Sequence, residues 1–364
     1  MLIRDVIQFL EEKFPRHYAE DFDNTGLLTG DPDWELKGIL ITHDATETVV
    51  DEAIRKGRNL IISFHPIIFS GLKKITNRSY VERSIIKAIK NDIAIYSPHT
   101  AVDNQAQGVS YWTLKQLGLK NIQVLMPKQN TFAQLVTYVP HEQAEQVRSA
   151  LFAVGAGRIG NYDECSYNLE GYGTFRPNEE ANPFVGEKNQ RHTEPETRIS
   201  VVFPVHLKQA VVSAMYEAHP YEEPAFEVFL LDNPHPEIGI GSIGEFENPM
   251  EEKEFLNLLK EKLEVPFLRH SAFTGKKIKK VALVGGSGAF AIDEAKRAGV
   301  DAFVSGDIKY HDFFKAENNI LIVDAGHFET ERFVSDFLTG ILSQKFSNFA
   351  ITKSETKTNP VNYF

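Results

Sequence analysis

Histidines and acidic residues follow the predicted strands of this chain at the point where each strand ends: His43, Asp44, His65, His99, Asp103, Asp307, His327 and Glu331. Ligands of open α/β sheets collect at the carboxyl ends of the strands, so these side chains are expected to converge. They offer nitrogen and oxygen donors and no thiolate, a set that suits Zn, Mn, Fe, Co or Ni. The pattern therefore indicates a metal site.

His327 and Glu331 are four residues apart at the start of a segment with helical periodicity. This spacing places both on one face of a first helical turn, where they can bind one cation or bridge two. The alternative is an ordinary helix N-terminus, at which the helix dipole favours an acidic residue. Two metals about 3.5–4 Å apart form a hydrolytic arrangement, because they lower the pKa of a water and hold the attacked group.

The other candidates also have purely structural alternatives. His65 lies in an apolar run, where a core histidine with a hydrogen-bond partner fits equally well. Asp103 lies in Ala-Val-Asp-Asn, a sequence that favours a turn. His311 can point toward the site from the second half of the chain. The glycine-rich segment 285–288 either contacts phosphate through backbone N–H groups or forms a tight strand-to-helix turn.

Composition limits the class of protein. At about 150 residues per domain, 364 residues make two to three domains, and 42% hydrophobic with 24% charged residues excludes intrinsic disorder. The net charge of −11 argues against a nucleic-acid partner, and the single cysteine, Cys165, excludes a disulfide framework or a Cys-rich zinc module. No apolar run reaches the roughly 18 residues of a membrane span, and the start resembles no signal peptide. We therefore expect a cytoplasmic protein.

An internal repeat organises the two ends of the chain. Residues 37–65 and 279–307 align without gaps, and each reads as strand, helix and strand, with a glycine just after the helix. Similar βαβ units also arise without duplication, but the matching order of elements favours it. The identical pairs include Asp51 and Asp293, Glu52 and Glu294, Ala53 and Ala295, Arg55 and Arg297, Gly57 and Gly299, and Ser63 and Ser305.

The middle of the chain has a different pattern. Its predicted order is β-α-β-β-α-β, which is typical of a ferredoxin-like fold, with a polar loop or extended hairpin at 177–196. The predicted fold class is α/β: a duplicated α/β core of two similar halves, with an inserted ferredoxin-like α+β domain. The halves are assigned to 1–125 and 238–364 and the insertion to 126–237.

Four motifs together resemble the NIF-three-like family of dinuclear-metal-centre proteins, often named homologues of type 2 GTP cyclohydrolase I. The resemblance covers essentially the whole chain, and the middle domain is similar to the PII- or CutA-like insertion of longer members. The motifs are Ser-Phe-His-Pro-Ile-Ile-Phe at 63–69, Ser-Pro-His-Thr-Ala-Val-Asp at 97–103, Ser-Gly-Asp-Ile-Lys-Tyr-His at 305–311 and Gly-His-Phe-Glu-Thr-Glu at 326–331.

The resemblance implies two divalent metal ions per chain, zinc first among the candidates, on His65, Asp103, His327 and Glu331, with Glu331 as the bridge. The family usually has two consecutive histidines before the proline, whereas Phe64 stands at the first position here. We therefore expect a weakened second metal position, completed by water or by a neighbour such as His99. The resemblance also implies a toroidal homohexamer.

Two functions follow from this interpretation. The first is a metal-dependent hydrolase that acts on a nucleotide through a metal-activated water, with His99 or His311 as the acid/base group; for the cyclohydrolase, this means opening the guanine imidazole ring with loss of formate. The alternative is a non-catalytic, metal-dependent regulatory or scaffold protein with a ligand-sensing insertion.

Overall fold

The computed structural model describes residues 1–363, which divide into two compact units. The larger unit combines Met1–Pro127 with Pro236–Phe364, and the smaller unit is Lys128–His235. No helix in the described part of the chain is both long and apolar enough to cross a membrane. The prediction of a mixed α/β protein with several sheets is confirmed.

The helices and strands follow the predicted order closely. Up to Pro127 they are α1 Ile3–Lys13, β1 Gly26–Thr29, β2 Ile39–Thr42, α2 Glu47–Arg55, β3 Leu60–Ser63, α3 Tyr80–Lys90, β4 Ala94–Ser97, α4 His99–Asp103, α5 Val109–Gln116 and β5 Lys120–Pro127. The smaller unit has β6 Phe132–Pro140, α6 Ala144–Ala153, β7 Tyr167–Phe175, β8 His192–Pro204, α7 Lys208–Ala218 and β9 Phe226–Leu231. The remainder has β10 Gly239–Met250, α8 Glu252–Leu263, β11 Arg269–His270, β12 Ile278–Ser287, α9 Ile292–Arg297, β13 Ala302–Gly306, β14 Leu321–Asp324, α10 His327–Glu331, α11 Val334–Lys345 and β15 Ile351–Lys353.

The larger unit contains two sheets with corresponding parallel centres. The first has the order β1-β4-β3-β2-β15, and the second has β11-β14-β13-β12-β10-β5. β2, β3 and β4 are parallel neighbours, as are β12, β13 and β14. α2 and α9, which join the first two strands of each trio, are followed by Gly57 and Gly299 in the left-handed conformation that glycine adopts without strain. α4 and α10 begin after the third strand of each trio, so both sets of candidate ligands lie at strand carboxyl ends.

Each half of the chain completes the sheet of the other half. α11 packs into the core of the first sheet through Val334, Leu338 and Leu342, and β15 pairs with β2. In return, Leu114 of α5 packs into the core of the second sheet, and β5 pairs with β10. The two halves, assigned to 1–125 and 238–364, thus exchange helices and edge strands, and this exchange brings the two segments of candidate ligands together.

The smaller unit is an antiparallel sheet of order β7-β8-β6-β9 with α6 and α7 on one face. The chain enters and leaves the smaller unit from two paired strands of the larger unit, because Pro127 of β5 is opposite Gly239 of β10. Of the two alternatives for 177–196, the extended hairpin describes its end, because β8 already begins at His192 and pairs with β7.

Candidate metal centre

The carboxylate of Glu331 is the centre of the site. Glu331 is in α10, and its side chain is only 5% exposed. Its Oε2 lies 3.0 Å from Nε2 of His43, 3.3 Å from Nε2 of His65 and 3.4 Å from Nε2 of His327. One carboxylate oxygen thus faces three imidazole nitrogens, whose residues follow the carboxyl ends of β2, β3 and β14.

Two of these imidazoles are oriented by further carboxylates. Nδ1 of His65 donates to Asp44 at 2.8 Å, and Nδ1 of His327 donates to Asp307 at 2.7 Å. A metal-binding histidine typically donates its other ring N–H to a carboxylate in this way, which fixes the tautomer and makes the free nitrogen more basic. The two Nε2 atoms lie 3.4 Å apart. Two lone pairs at this distance repel each other unless a proton or a metal cation lies between them.

The pKa values of the cluster show a strong preference for positive charge. Burial alone would lower the pKa of His65, but hydrogen bonds with Asp44 and Glu331 raise it to about 10. Burial would raise the pKa of Glu331, but hydrogen bonds from His43 and His65 hold it well below its usual range. A divalent cation satisfies the same preference in competition with the proton, because metal binding requires neutral imidazole and ionised carboxylate.

The backbone leaves room for this arrangement at Gly286. This residue lies near the end of β12 with φ of 62°, and its N–H donates to Oγ1 of Thr330. A Cβ at this position would lie 2.3 Å from Oε1 of Glu331 and 3.1 Å from Nε2 of His327. The glycine-rich segment therefore serves the close approach of the ligand side chains. The donor set and this space both fit a divalent metal.

His65, His327 and Glu331 form one group whose ligand atoms all lie within 4.8 Å of one another, and His43, Asp44 and His65 form a second. Asp103 is outside both groups. Its side chain lines a cavity of about 470 Å³ that is also lined by His65, His327 and Glu331. Burial and the charge of Glu331 raise the pKa of Asp103 well above its usual value. A second cation beside these carboxylates would allow both to ionise.

The two acid/base candidates are placed differently. His99 lines the cavity, and its Nδ1 donates to Asp23 at 2.8 Å. His311 is exposed on a short helical segment and contacts Tyr310 and Phe314. Phe64 is fully buried, with its ring centroid 5.4 Å from that of His99 and 5.5 Å from that of His43. It occupies the core directly beneath the imidazole cluster.

The sequence placed His43, Asp44 and Asp307 after strands at this edge but gave them no role beside the ligands. Asp23 was not singled out, because it lies ahead of β1 and follows no strand. What the spacing could not show is that His43 contacts Glu331, a residue 288 positions away.

A family model described as Duf34/NIF3 (NGG1p interacting factor 3) matches residues 1–360. The chain belongs to this family. The resemblance seen in the four motifs is thus confirmed. The chain is 38% identical to the "GTP cyclohydrolase 1 type 2 homolog" of Bacillus subtilis, over 99% of this chain and 98% of that protein. The protein of the same name in Staphylococcus epidermidis strain RP62A is 34% identical over the full length of both chains.

Solved structures of Duf34/NIF3 relatives agree with this architecture. A Bacillus cereus protein related to NIF3 superposes with a TM-score of 0.80 at 38% identity, covering 100% of this chain and 99% of that chain. A Staphylococcus aureus protein superposes with a TM-score of 0.82 at 31% identity and the same coverage. The fold of this Duf34/NIF3 chain, including the smaller unit, is therefore shared along its whole length.

Replacing Asp44 by asparagine is expected to weaken metal binding by about 10- to 100-fold, a typical effect of losing the carboxylate that orients a metal-bound histidine. Asparagine keeps the shape of the side chain but removes the charge that holds the ring of His65. Competition with a chromophoric chelator measures the change. Asp51→Asn is the control, because Asp51 pairs with Lys87 on the surface; equal losses in both variants would contradict the role of Asp44.

Proposed function

We propose that this protein is a metal-dependent hydrolase of a nucleotide-type substrate. The observation that carries the proposal is the convergence of His65, His327 and Glu331 at the bottom of a cavity of about 470 Å³. Two divalent ions, with zinc as the first candidate, would be held by these residues and Asp103, with Glu331 as the bridge. Such ions lower the pKa of a water and polarise the group under attack.

The rim of the cavity supports a substrate with a planar base. Phe22, Phe69, Tyr80 and Phe290 line the cavity and are each more than half exposed. The rings of Phe22 and Phe69 lie 6.3 Å apart. Large exposed aromatic side chains around a cavity are typical of a binding site, and base stacking on such rings is worth about 1–3 kcal/mol per base.

The charge of the cavity restricts the substrate. Among the described residues that line it, there is no lysine or arginine. Phosphate groups would therefore depend on the metal ions for neutralisation, or would extend out of the cavity into water. A substrate with little negative charge, such as a nucleoside, a free base or a monophosphate, fits better than a triphosphate, so the GTP ring-opening reaction is the less favoured of the nucleotide hydrolyses.

His99 is the proposed acid/base group. Its Nδ1–H is fixed by the carboxylate of Asp23, which leaves Nε2 available for proton transfer in the cavity. A histidine oriented by a carboxylate is a common arrangement for this role, and its loss typically lowers the rate by about 10²- to 10⁴-fold. His311 has no comparable position in this chain.

The test is hydrolysis of a panel of bases, nucleosides and nucleotides by the metal-loaded protein and three variants. His327→Ala is expected to lose both bound metal and activity. His99→Ala is expected to keep its metal and to lose most of the turnover, whereas His311→Ala, the surface control, is expected to keep both. Full activity in His327→Ala, or no turnover of any compound by the metal-loaded protein, would contradict the proposal.

We also propose a ferredoxin-like fold for the smaller unit, a duplicated core for the larger unit and a homohexameric assembly. The strand order and the helix placement of the smaller unit support a ferredoxin-like fold of the PII/CutA type, and the corresponding parallel trios support a duplicated core. A toroidal homohexamer, with the metal cavities facing an inner chamber, remains proposed from the family and is tested by light scattering of the purified protein. The alternative function is a ligand-sensing regulatory protein, and a cavity of about 680 Å³ within the smaller unit supports it.

A further inference from the structure

The smaller unit has a cavity of its own, with a volume of about 680 Å³. Every residue that lines it lies within 128–235, so it is separate from the metal cavity. Its floor is the face of the sheet opposite α6 and α7. Its walls come from the segment after β7 and the segment between α7 and β9. The volume is in the usual range of about 300–1,000 Å³ for small-molecule sites.

The floor carries two opposite charges. Glu196 and Arg198 are two residues apart on β8 and therefore point to the same face. Glu196 is only 8% exposed, and it accepts a hydrogen bond of 2.8 Å from the hydroxyl of Tyr221. The guanidinium of Arg198 has no ion-pair or hydrogen-bond partner in the part of the chain that the structure describes. A buried carboxylate and an unpaired guanidinium are thus both directed into one cavity.

The strand beside these charges has two glycines that keep the cavity open. Gly171 and Gly173 of β7 pair with Glu196 and Glu194 of β8. A Cβ on Gly173 would lie 2.1 Å from Oε2 of Glu196, so this glycine allows the carboxylate to lie against the neighbouring strand. A Cβ on Gly171 would meet no atom within 4 Å. The floor at Gly171 is therefore bare backbone facing open space.

Aromatic rings form the walls. Phe175 and Phe184 lie on either side of Tyr221, with ring centroids 5.9 and 6.4 Å from it. The segment that carries Phe184 is held in place where the backbone N–H of Asn182 donates to Glu222 at 2.8 Å. Rings arranged around a gap offer stacking surfaces for a flat molecule.

We propose that this cavity binds a small aromatic molecule that carries both an N–H donor and an anionic group. Glu196 accepts from the N–H donor, Arg198 pairs with the anion, and the rings of Phe175, Phe184 and Tyr221 pack on the aromatic part. An aromatic amino acid and a guanine nucleotide share this chemistry. In the first, the ammonium and carboxylate groups satisfy the two charges; in the second, the guanine N–H edge and the phosphate do so.

The test is calorimetric titration of the full-length protein with L-tryptophan and, separately, with GMP. We expect one of them to bind with one site per chain. Gly171→Leu is expected to abolish this binding, because the new side chain fills the cavity without displacing a neighbour. Gly340→Leu is the control, since Gly340 also faces open space but lies on α11. Glu196→Gln is expected to weaken binding by about 10- to 100-fold, the usual effect of losing a hydrogen bond to a charged group.

A metal-centre variant separates this site from the hydrolase. His327→Ala is expected to leave the binding unchanged. Binding that is lost in His327→Ala but retained in Gly171→Leu would place the ligand at the metal centre and overturn the proposal. The absence of binding by either compound at millimolar concentration would overturn it as well. Neither result bears on whether the metal centre hydrolyses its substrate.

Discussion

Replacing Gly286 by alanine is expected to reduce metal affinity by more than about 100-fold, although the protein still folds. The new Cβ would lie 2.3 Å from Oε1 of Glu331, so the carboxylate must rotate away from His65 and His327. Loss of the proposed bridging ligand would affect both proposed metal positions, and each tenfold loss corresponds to about 1.4 kcal/mol. The left-handed φ of 62° adds a strain of about 1 kcal/mol for a non-glycine residue.

Gly299→Ala provides the matched control. Gly299 has a similar φ of 68°, but a Cβ there meets nothing within 4 Å. Both variants therefore carry the same backbone strain, and only one disturbs the site. Chelator competition and thermal unfolding of the two apoproteins separate the contributions. A similar loss of metal affinity in both variants would show that backbone strain alone, and not the contact with Glu331, is responsible.

Replacing Glu52 by glutamine is expected to lower the free energy of unfolding at neutral pH by about 3 kcal/mol. The side chain of Glu52 is fully buried and accepts hydrogen bonds from Lys56, Ser354, Glu355 and Thr356. Burial acts to raise its pKa, but these donors lower it from 4.5 to about 2. Each unit of that shift corresponds to about 1.4 kcal/mol, because the folded state favours the ionised form by this amount.

The pH dependence of this effect follows from the sign of the shift. The pKa of Glu52 is lower in the folded state, so its contribution is complete above about pH 4.5 and is lost as the pH falls toward 2. The stability difference between wild type and Glu52→Gln, measured by urea unfolding, should therefore shrink over that range.

Glu82→Gln is the control for Glu52→Gln. The pKa of Glu82 is also lowered to about 2, by backbone hydrogen bonds from Thr76 and Arg78. Its surroundings are open to solvent, which screens the interaction, so we expect a clearly smaller loss of stability. An equal loss in the two variants, or a difference for Glu52→Gln that does not change with pH, would contradict the burial argument.

The sequence predicted the elements of the core and the positions of the four proposed ligands at strand ends. These features are local: an apolar run, a glycine after a helix, or a histidine and a glutamate four residues apart at 327 and 331. Each follows from the conformation of a short segment, and the fold places the segments at adjacent sheet edges. His65 and Asp103 each had a structural alternative when considered alone. The family resemblance then indicated that both are metal ligands.

Contacts between segments that are distant in sequence could not be predicted from the pattern of a short segment. The apolar faces of α5 and α11 show that each helix packs on something, but not that each packs on the sheet of the other half. The hydrogen bond from His43 to Glu331 joins opposite ends of the chain. The polar segment 177–196 left a loop and an extended hairpin open, and only the pairing of β8 with β7 decides for a hairpin at its end. In each case the partner, and not the segment itself, determines the structure.

The most direct test of the two-metal centre is the metal content per chain, measured by plasma mass spectrometry on untagged protein purified without chelator. The same measurement is made on Glu331→Ala. We expect nearly two divalent ions per wild-type chain, one of which is removed more readily by chelator because Phe64 replaces a histidine, and little metal in the variant. One ion or none in the wild type, or an unchanged content in Glu331→Ala, would contradict a pair of metals bridged by Glu331.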